Sequence, residues 1–509
     1  MRTERTRGRL AFLGAWGLLA ALSILWAVAT PISASPDEPA HFIKAASIYQ
    51  GDLVGAPSDV GRVVHAPRYV AHTQARTCFA FDSTETADCS AELTGDPAEV
   101  IDVTTTAGLY NPLYYVLVGW PSVIFGDDTG LYVMRIVSAL ISSALLALVW
   151  TTVIAAWGRK RLGPVIGIGA ALTPMVFFLG GSLNPNSLEI ASVMATFAVC
   201  LALVLRPDPE RIRSRAVTLA IVAALAANSR GLSVVWLVII VLAAMLLSNP
   251  AQLRGFWASR WIRWAVIVSV ATSVIALAWI GYTSIVARDA PPPADFLEAP
   301  LVGSSPIVGF LLILMGTFDY GEAIVGTFGW LDTPSPSAVL FVWAALVGAL
   351  VLAAVALLRG RRLLVAAGLV LTVALVPPVI QAAFITSGGI IWQGRYALPL
   401  FVSAMLAVGV LLAGSFARLE RRGAMRLVIV IAVGWALAQS YAFFTALQRY
   451  SVGLDTSPVE MFRDPSWQPP GGILPLLILT GIITVGIGVA TVLSVRRSYR
   501  LELGVAVDA

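Results

Sequence analysis

The sequence predicts an all-α, polytopic integral membrane protein of about twelve transmembrane helices. Both termini are expected in the cytoplasm, with a large first exoplasmic loop. Three observations predict this. Charged residues make up only 12% of the 509 positions and apolar ones 58%, where soluble domains average about 25% charged. Mean hydropathy is +0.83. Apolar runs of roughly twenty residues recur along the chain, and its basic residues fall in short clusters between them. The net charge of +5 is therefore a topology signal, and it argues against nucleic acid as a partner.

Residues 1–30 hold a cytoplasmic start, "MRTERTRGRL", and an apolar run at 10–30. The run is long enough for a full crossing and the small-residue cleavage signal after it is weak. It reads as an uncleaved first helix, not a signal peptide. Residues 31–130 follow as the first exoplasmic loop. Helices two to seven occupy 131–286, as runs near 131–157, 163–181, 187–205, 214–228, 231–248 and 262–286. A second exoplasmic loop spans 287–337. Helices eight to twelve lie within 338–509, near 338–358, 362–385, 396–416, 425–446 and 472–495. An exoplasmic loop at 447–471 and a cytoplasmic tail complete this part.

Seven basic clusters hold 24 of the 34 Lys and Arg, and all of them share one side if the twelve runs alternate. The apolar segments 111–125 and 305–318 are short, and counting either alone as a crossing would put later clusters outside. Both are expected as interfacial or re-entrant helices on the outer face. Residues 31–109 carry eleven Asp and Glu against four Lys and Arg, the inverse of the cytoplasmic connections. Cys78 and Cys89 lie here, in a compartment that permits a disulfide, whereas Cys200 falls inside an apolar run as a small filler.

The stretch "SASPDEPAHF" stands just beyond the first helix. Ser35, Pro36 and Glu38 fit a capping box, or Asp37 is itself the cap, for a short helix running to about Gln50 and ended by Gly51. Capping accounts for one carboxylate but not for two beside a histidine. On that helix Asp37, His41 and Lys44 share one face. An Asp with water on one side and the bilayer on the other also suits a general base. Capping and function both remain open at this point.

Arg135 and Arg230 stand at membrane depth, where a cation needs a partner. In "IIWQGRYALPL", Arg395 stands at the outer mouth of a helix, where a guanidinium can hold a lipid-linked phosphate or make an ordinary headgroup contact. The dense Tyr and Trp of 109–121 read equally as an interfacial belt. All three histidines, His41, His65 and His72, lie in the first loop without metal-ligand spacing. No phosphate-cradling Gly loop and no serine-nucleophile elbow is present.

"PDEPAHF", "NPLYYVL", "RIVSAL", "GWLDTPSP" and "QGRYALPL" together resemble a bacterial membrane family catalogued as domain of unknown function 2142, over roughly residues 30–400. That family in turn resembles the GT-C superfamily of polytopic glycosyltransferases, which use sugars carried on polyprenyl phosphate or diphosphate. The resemblance implies a GT-C-like fold with juxtamembrane helices in the first loop. It implies that Asp37, with Glu38 beside it, matches the superfamily's catalytic or metal-binding acid, so that a divalent metal ion is the one cofactor in view. It places Tyr114 on a juxtamembrane helix and Arg135 at the opening of the second membrane helix. His41, Tyr114, Arg135, Arg230, Asp332, Arg395 and Tyr396 are the expected substrate-binding residues. In one departure, Asn186 in "SLNPNSLE" stands where the related pattern has an acid.

The expected function is a transferase of the bacterial plasma membrane. It would move a sugar from a lipid-linked donor to a cell-envelope glycan or lipid acceptor on the outer face. A transporter or a non-enzymatic envelope-assembly protein is the alternative. A transporter would place its cavity at mid-membrane between two matching halves.

Overall fold

The computed structural model describes residues 2–289 and 300–500. Part of the second predicted loop, 290–299, and the end of the predicted tail, 501–509, lie outside the described residues. The chain is a bundle of apolar helices capped at one end by the long connections. Among the described residues, nine helices are long and apolar enough to cross a membrane, or up to twelve if each of three bent pairs is one span. The bent pairs are Leu162–Ala171 with Pro174–Gly180, Ser233–Leu246 with Pro250–Ala258, and Pro306–Met315 with Thr317–Gly326. The helix Ile212–Ala227, expected near 214–228, has 16 residues and is short for a crossing.

The basic connections meet at the end of the bundle opposite the long loops. Arg161 Nη1 donates to Ser494 O at 3.2 Å, Arg361 Nη1 to Ser248 O at 3.3 Å, and Tyr499 Oη to Leu419 O at 3.3 Å. The pair built from Pro306–Met315 and Thr317–Gly326 starts and finishes at the loop end. Gly303 N donates to Thr386 O at 3.0 Å before it, and Ser335 N to Gly326 O at 2.8 Å after it. The pair is bent by 62°, so it is not a straight crossing; the sequence expectation for 305–318 is an interfacial or re-entrant helix.

Two spans form the centre. Gly394–Leu411 and Pro185–Leu205 are 94% and 89% buried, against 11% for Arg260–Val286 on the periphery. Gly163 lets the first of these pack tightly, because a Cβ there would stand 2.5 Å from Gly409 O. Small residues at such a crossing let two backbones approach closely where the bilayer offers no hydrophobic driving force. Both central spans begin at the loop end, so their N-terminal residues, among them Arg395 and Asn186, point toward the loops.

The first loop is more than juxtamembrane helices. The expected short helix is present as Glu38–Tyr49, with Gly51 at φ +99° just beyond it. The interfacial segment near 111–125 is two short pieces, Leu113–Val118 and Trp120–Val123. Between them lies a three-stranded antiparallel sheet that an all-α reading does not contain: Ala56–Ser58, Gly61–Pro67 and Val100–Thr105. "GRVVHAP" and "VIDVTT" supply the β-branched residues, and Val64 pairs with Val103. The Cys78–Cys89 disulfide closes the loop beyond the sheet, and Cys200 is free and buried.

Candidate functional site

The site begins where the first span ends. Asp37 precedes Glu38–Tyr49 with φ +65°, a left-handed posture that Asp tolerates better than most residues. The expected capping box does not form. Asp37 makes no side-chain cap, and the Ser35 hydroxyl is buried with no partner among the described residues. Both carboxylates are engaged elsewhere, each by an arginine distant in sequence.

Glu38 meets Arg135, with both side chains at 0% exposure. The guanidinium donates to Glu38 at 2.8 and 2.5 Å, to Ala27 O at 2.9 Å, to Thr30 O at 2.6 Å and to Pro31 O at 2.7 Å. Glu38 Oε1 also accepts from Leu183 N at 2.8 Å. All five guanidinium N–H groups thus have an acceptor, the condition under which a buried charge pair is tolerated. This clip ties the end of the first span to the second span and to the turn before Pro185–Leu205. Packing at the helix junction leaves neither side chain exposed.

Asp37 is the opposite case. Its Oδ2 accepts from Arg395 Nη2 at 2.6 Å, and its side chain is 47% exposed while that of Arg395 is 0% exposed. Arg395 lies in the turn Gly394–Ala397, and its Nε and Nη1 have no partner among the described residues. Gly394 is required there, since a Cβ would stand 2.5 Å from Ala323 Cβ on the helix Thr317–Gly326. The glycine of "QGRY" therefore sets how closely that helix holds the arginine.

A second cation stands nearby. The Arg230 guanidinium carbon is 4.7 Å from the Tyr396 ring centroid, and that of Arg395 is 5.3 Å from the same ring. Arg230 Nη1 also donates to Asn186 Oδ1 and lies 3.9 Å from Glu189 Oε2. Glu189 in turn accepts from Ser233 Oγ at 2.7 Å and Trp236 Nε1 at 3.0 Å. Arg230, Tyr396, Tyr110 and Glu189 line a cavity of about 420 Å³ whose other wall is apolar, with Trp279, Ile380 and Phe384. Asp37 itself lines a second cavity of about 340 Å³, on the side of the first-loop sheet.

Residues 20–404 match a family described as "Predicted membrane protein (DUF2142)". The chain belongs to this family. The match takes in Asp37, Arg230 and Arg395 and stops short of Arg449. No curated protein and no solved structure matches the chain.

The remaining expected residues divide. His41 Nδ1 bonds Tyr115 Oη at 2.9 Å, and burial, with Arg230 and Arg395 opposing Asp37, pushes its pKa down to about 3, so it is a neutral imidazole. Lys44 shares the helix face with Asp37 and His41 but is spent on carbonyls, donating to Leu53 O at 2.5 Å and Gly108 O at 2.7 Å. Tyr114 lies on a short helix as expected, with its side chain buried. Its hydroxyl is buried against Ser138 Oγ at 2.9 Å, because the helix Leu113–Val118 turns it toward the second span, and its neighbour Tyr115 faces His41 instead. Asp332 is only 4% exposed and pairs with Arg449 Nη2 at 3.0 Å, away from the cavity of Arg230.

A divalent metal does not fit these residues. Among the described residues no three His, Cys, Asp or Glu side chains converge, and Asp37 and Glu38 each face a guanidinium. Glu189, Arg449 and Trp330 carry no site signal of their own in the motifs. An acid inside the apolar run 187–205 was the one available signal for the first.

Proposed function

We propose that the chain is a membrane glycosyltransferase that takes a sugar from a polyprenyl-phosphate-linked donor and places it on a cell-envelope acceptor. One observation carries the reading: Asp37, half-exposed at a cavity it lines, is held by a buried Arg395 that keeps two unpartnered nitrogens, and the next residue, Tyr396, lines the cationic, aromatic cavity of Arg230.

The Asp37 carboxylate accepts the proton of an acceptor hydroxyl as its oxygen bonds to the anomeric carbon of the donor. The bond from that carbon to the phosphate oxygen breaks, and its electron pair leaves on the phosphate. Arg230, which lines the cationic cavity, takes up that negative charge with its N–H donors, and the buried Arg395 adds its positive field from behind Asp37 and Tyr396. The lipid carrier delivers an activated sugar, so no nucleotide-binding loop is needed. Glu38 and Arg135 position Asp37 and touch neither substrate.

Membrane orientation follows from charge. The end where Arg161 and Arg361 bond the helix ends is cytoplasmic, and the end with Asp37 and the disulfide is exoplasmic. The multi-pass chain then sits in a bacterial plasma membrane with its site facing the envelope. The cationic cluster lies at one end of the bundle where spans begin, rather than at mid-membrane as a transporter would have it.

The test is envelope glycan analysis of cells carrying Asp37→Asn beside a deletion strain. The mutant glycan is expected to match that of the deletion while the variant protein stays folded in the membrane. A wild-type glycan from Asp37→Asn, where deletion alters it, removes Asp37 from the mechanism.

A further inference from the structure

The cavity on the sheet side of Asp37 has a chemistry of its own. Asp37 is its one ionisable lining residue. The rest of its polar wall is neutral, made by Gln74, Thr77, Thr104 and Thr106, and the indole of Trp330 closes one side. Gln74 Nε2 donates to Thr104 O at 2.8 Å, which fixes the amide and leaves its carbonyl oxygen to accept from a ligand. The Thr77 hydroxyl donates to Gln74 O at 3.0 Å, which leaves its oxygen lone pairs as acceptors.

Trp330 is held more firmly than a half-buried loop side chain needs to be. Its Nε1 donates to Ser33 O at 2.8 Å, at the turn that leads into Asp37. Phe81 packs edge-on against it, with ring centroids 5.4 Å apart. Phe81 N is in turn held by Asp332 Oδ2 at 3.1 Å. The donor of the indole is thereby used, and what it offers a ligand is its π surface.

These features select one ligand class. An anionic acceptor, such as a phosphate-bearing headgroup, finds no cation in this wall and meets Asp37. An acyl chain would leave the threonine hydroxyls and the glutamine oxygen unpaired on burial, and a peptide, whose amides can pair with them, brings no C–H ring face to Trp330. A neutral sugar satisfies both surfaces. Its hydroxyls pair with Gln74 and the threonines, and its C–H face, partly positive, lies on the negative π face of Trp330. The volume of about 340 Å³ is at the small end of ligand pockets, enough for a short sugar segment. We infer that this cavity is the acceptor subsite and that the acceptor is an uncharged sugar residue, with one hydroxyl brought to Asp37 and its ring on Trp330. The acceptor role rests on the transferase reading, whereas the binding of a neutral sugar does not.

The experiment is saturation-transfer NMR on the full chain in nanodiscs, with a panel of methyl pyranosides and furanosides as probes and glucose 1-phosphate as the charged control. Saturation is expected on ring protons of at least one neutral glycoside, with weaker transfer to the phosphate. Trp330→Ala is expected to weaken that glycoside by about tenfold, as loss of an aromatic platform does. Thr106→Val, which keeps shape but removes the hydroxyl, should weaken it less. Asp37→Asn should still bind it. Binding in Asp37→Asn alongside an unaltered glycan would sink the transferase reading and leave the sugar site standing. No transfer from any glycoside to folded wild-type protein, transfer unaffected by Trp330→Ala, or preference for the phosphate overturns the inference.

Discussion

Arg395 Nη2 reaches Asp37 Oδ2 at 2.6 Å across 358 positions of sequence, and only the arginine is buried. The pair is therefore asymmetric. The arginine is held where Gly394 packs on the helix Thr317–Gly326, while the carboxylate keeps an edge toward the cavity it lines. Glu38 and Arg135, by contrast, are both buried.

That contrast predicts separate outcomes for adjacent carboxylates. Asp37→Asn is expected to lower transfer by about 10²-fold or more, the usual range for loss of a general base, and also to lower the unfolding midpoint, because it leaves the buried Arg395 without its counter-charge. Arg395→Lys keeps the charge but not the fork, so it should retain a small part of the activity that Arg395→Ala loses. Product formation in membranes, read beside the unfolding midpoint of each purified variant, checks both. An Asp37→Asn variant that unfolds early yet transfers normally would reverse the assignment.

Glu38→Gln leaves the Arg135 guanidinium buried without its counter-charge. The expected cost is about 3 to 5 kcal/mol, seen as a lowered unfolding midpoint in detergent. Replacing both members, as Glu38→Gln with Arg135→Met, should recover part of that loss, since the two residues form one network. A full double-mutant cycle measures the coupling, and simple additivity would show that the clip is not a unit.

His41 gives a pH signature. Burial, helped by Arg230 and Arg395 and opposed by Asp37, holds its folded pKa near 3 against the ordinary 6.5. The unfolded chain then binds the proton first. Stability from the neutral ring is complete above about pH 6.5 and is lost as pH falls toward 3, with a slope of at most about 1.4 kcal/mol per unit. The exposed His65, raised by its bond to Asp52, contributes with the opposite sign. The quantity to measure is thus the difference between wild type and His41→Gln from pH 7 to pH 4.5. A flat difference would mean that His41 takes up its proton alike in the folded and unfolded chain, so that burial does not depress it.

Much of this was legible in the chain itself. The spacing of apolar runs and basic clusters predicts the bundle, and "PDEP" and "QGRY" name the two ends of the Asp37–Arg395 pair. What the sequence withholds is partner choice. Two carboxylates side by side look alike until packing sends one to a buried arginine 97 positions away and leaves the other at a cavity. Tyr114 and Tyr115 differ by one helical step, about 100°, and that step decides which reaches His41. The sheet was missed because its strands are short and lie within an acidic loop that has little apolar alternation.

Arg449 shows the same limit and yields the last prediction. It lies at the end of the span Arg421–Val452, fully buried, and donates to Phe79 O at 2.6 Å, Asp82 O at 2.7 Å, Glu85 O at 2.7 Å and Asp332 Oδ2 at 3.0 Å. One side chain thus holds the loop closed by Cys78–Cys89 and the loop that carries Trp330. Removing the disulfide with Cys78→Ser and Cys89→Ser is expected to cost about 2 to 4 kcal/mol by freeing the unfolded chain. Arg449→Met should cost at least as much, because it strands Asp332, only 4% exposed, without its counter-charge. Hydrogen exchange separates the two effects. Loss of the disulfide should raise exchange first across 78–89, whereas Arg449→Met should raise it there and across 329–333 together. Exchange confined to 78–89 in Arg449→Met would show that Asp332 and Trp330 are held without it.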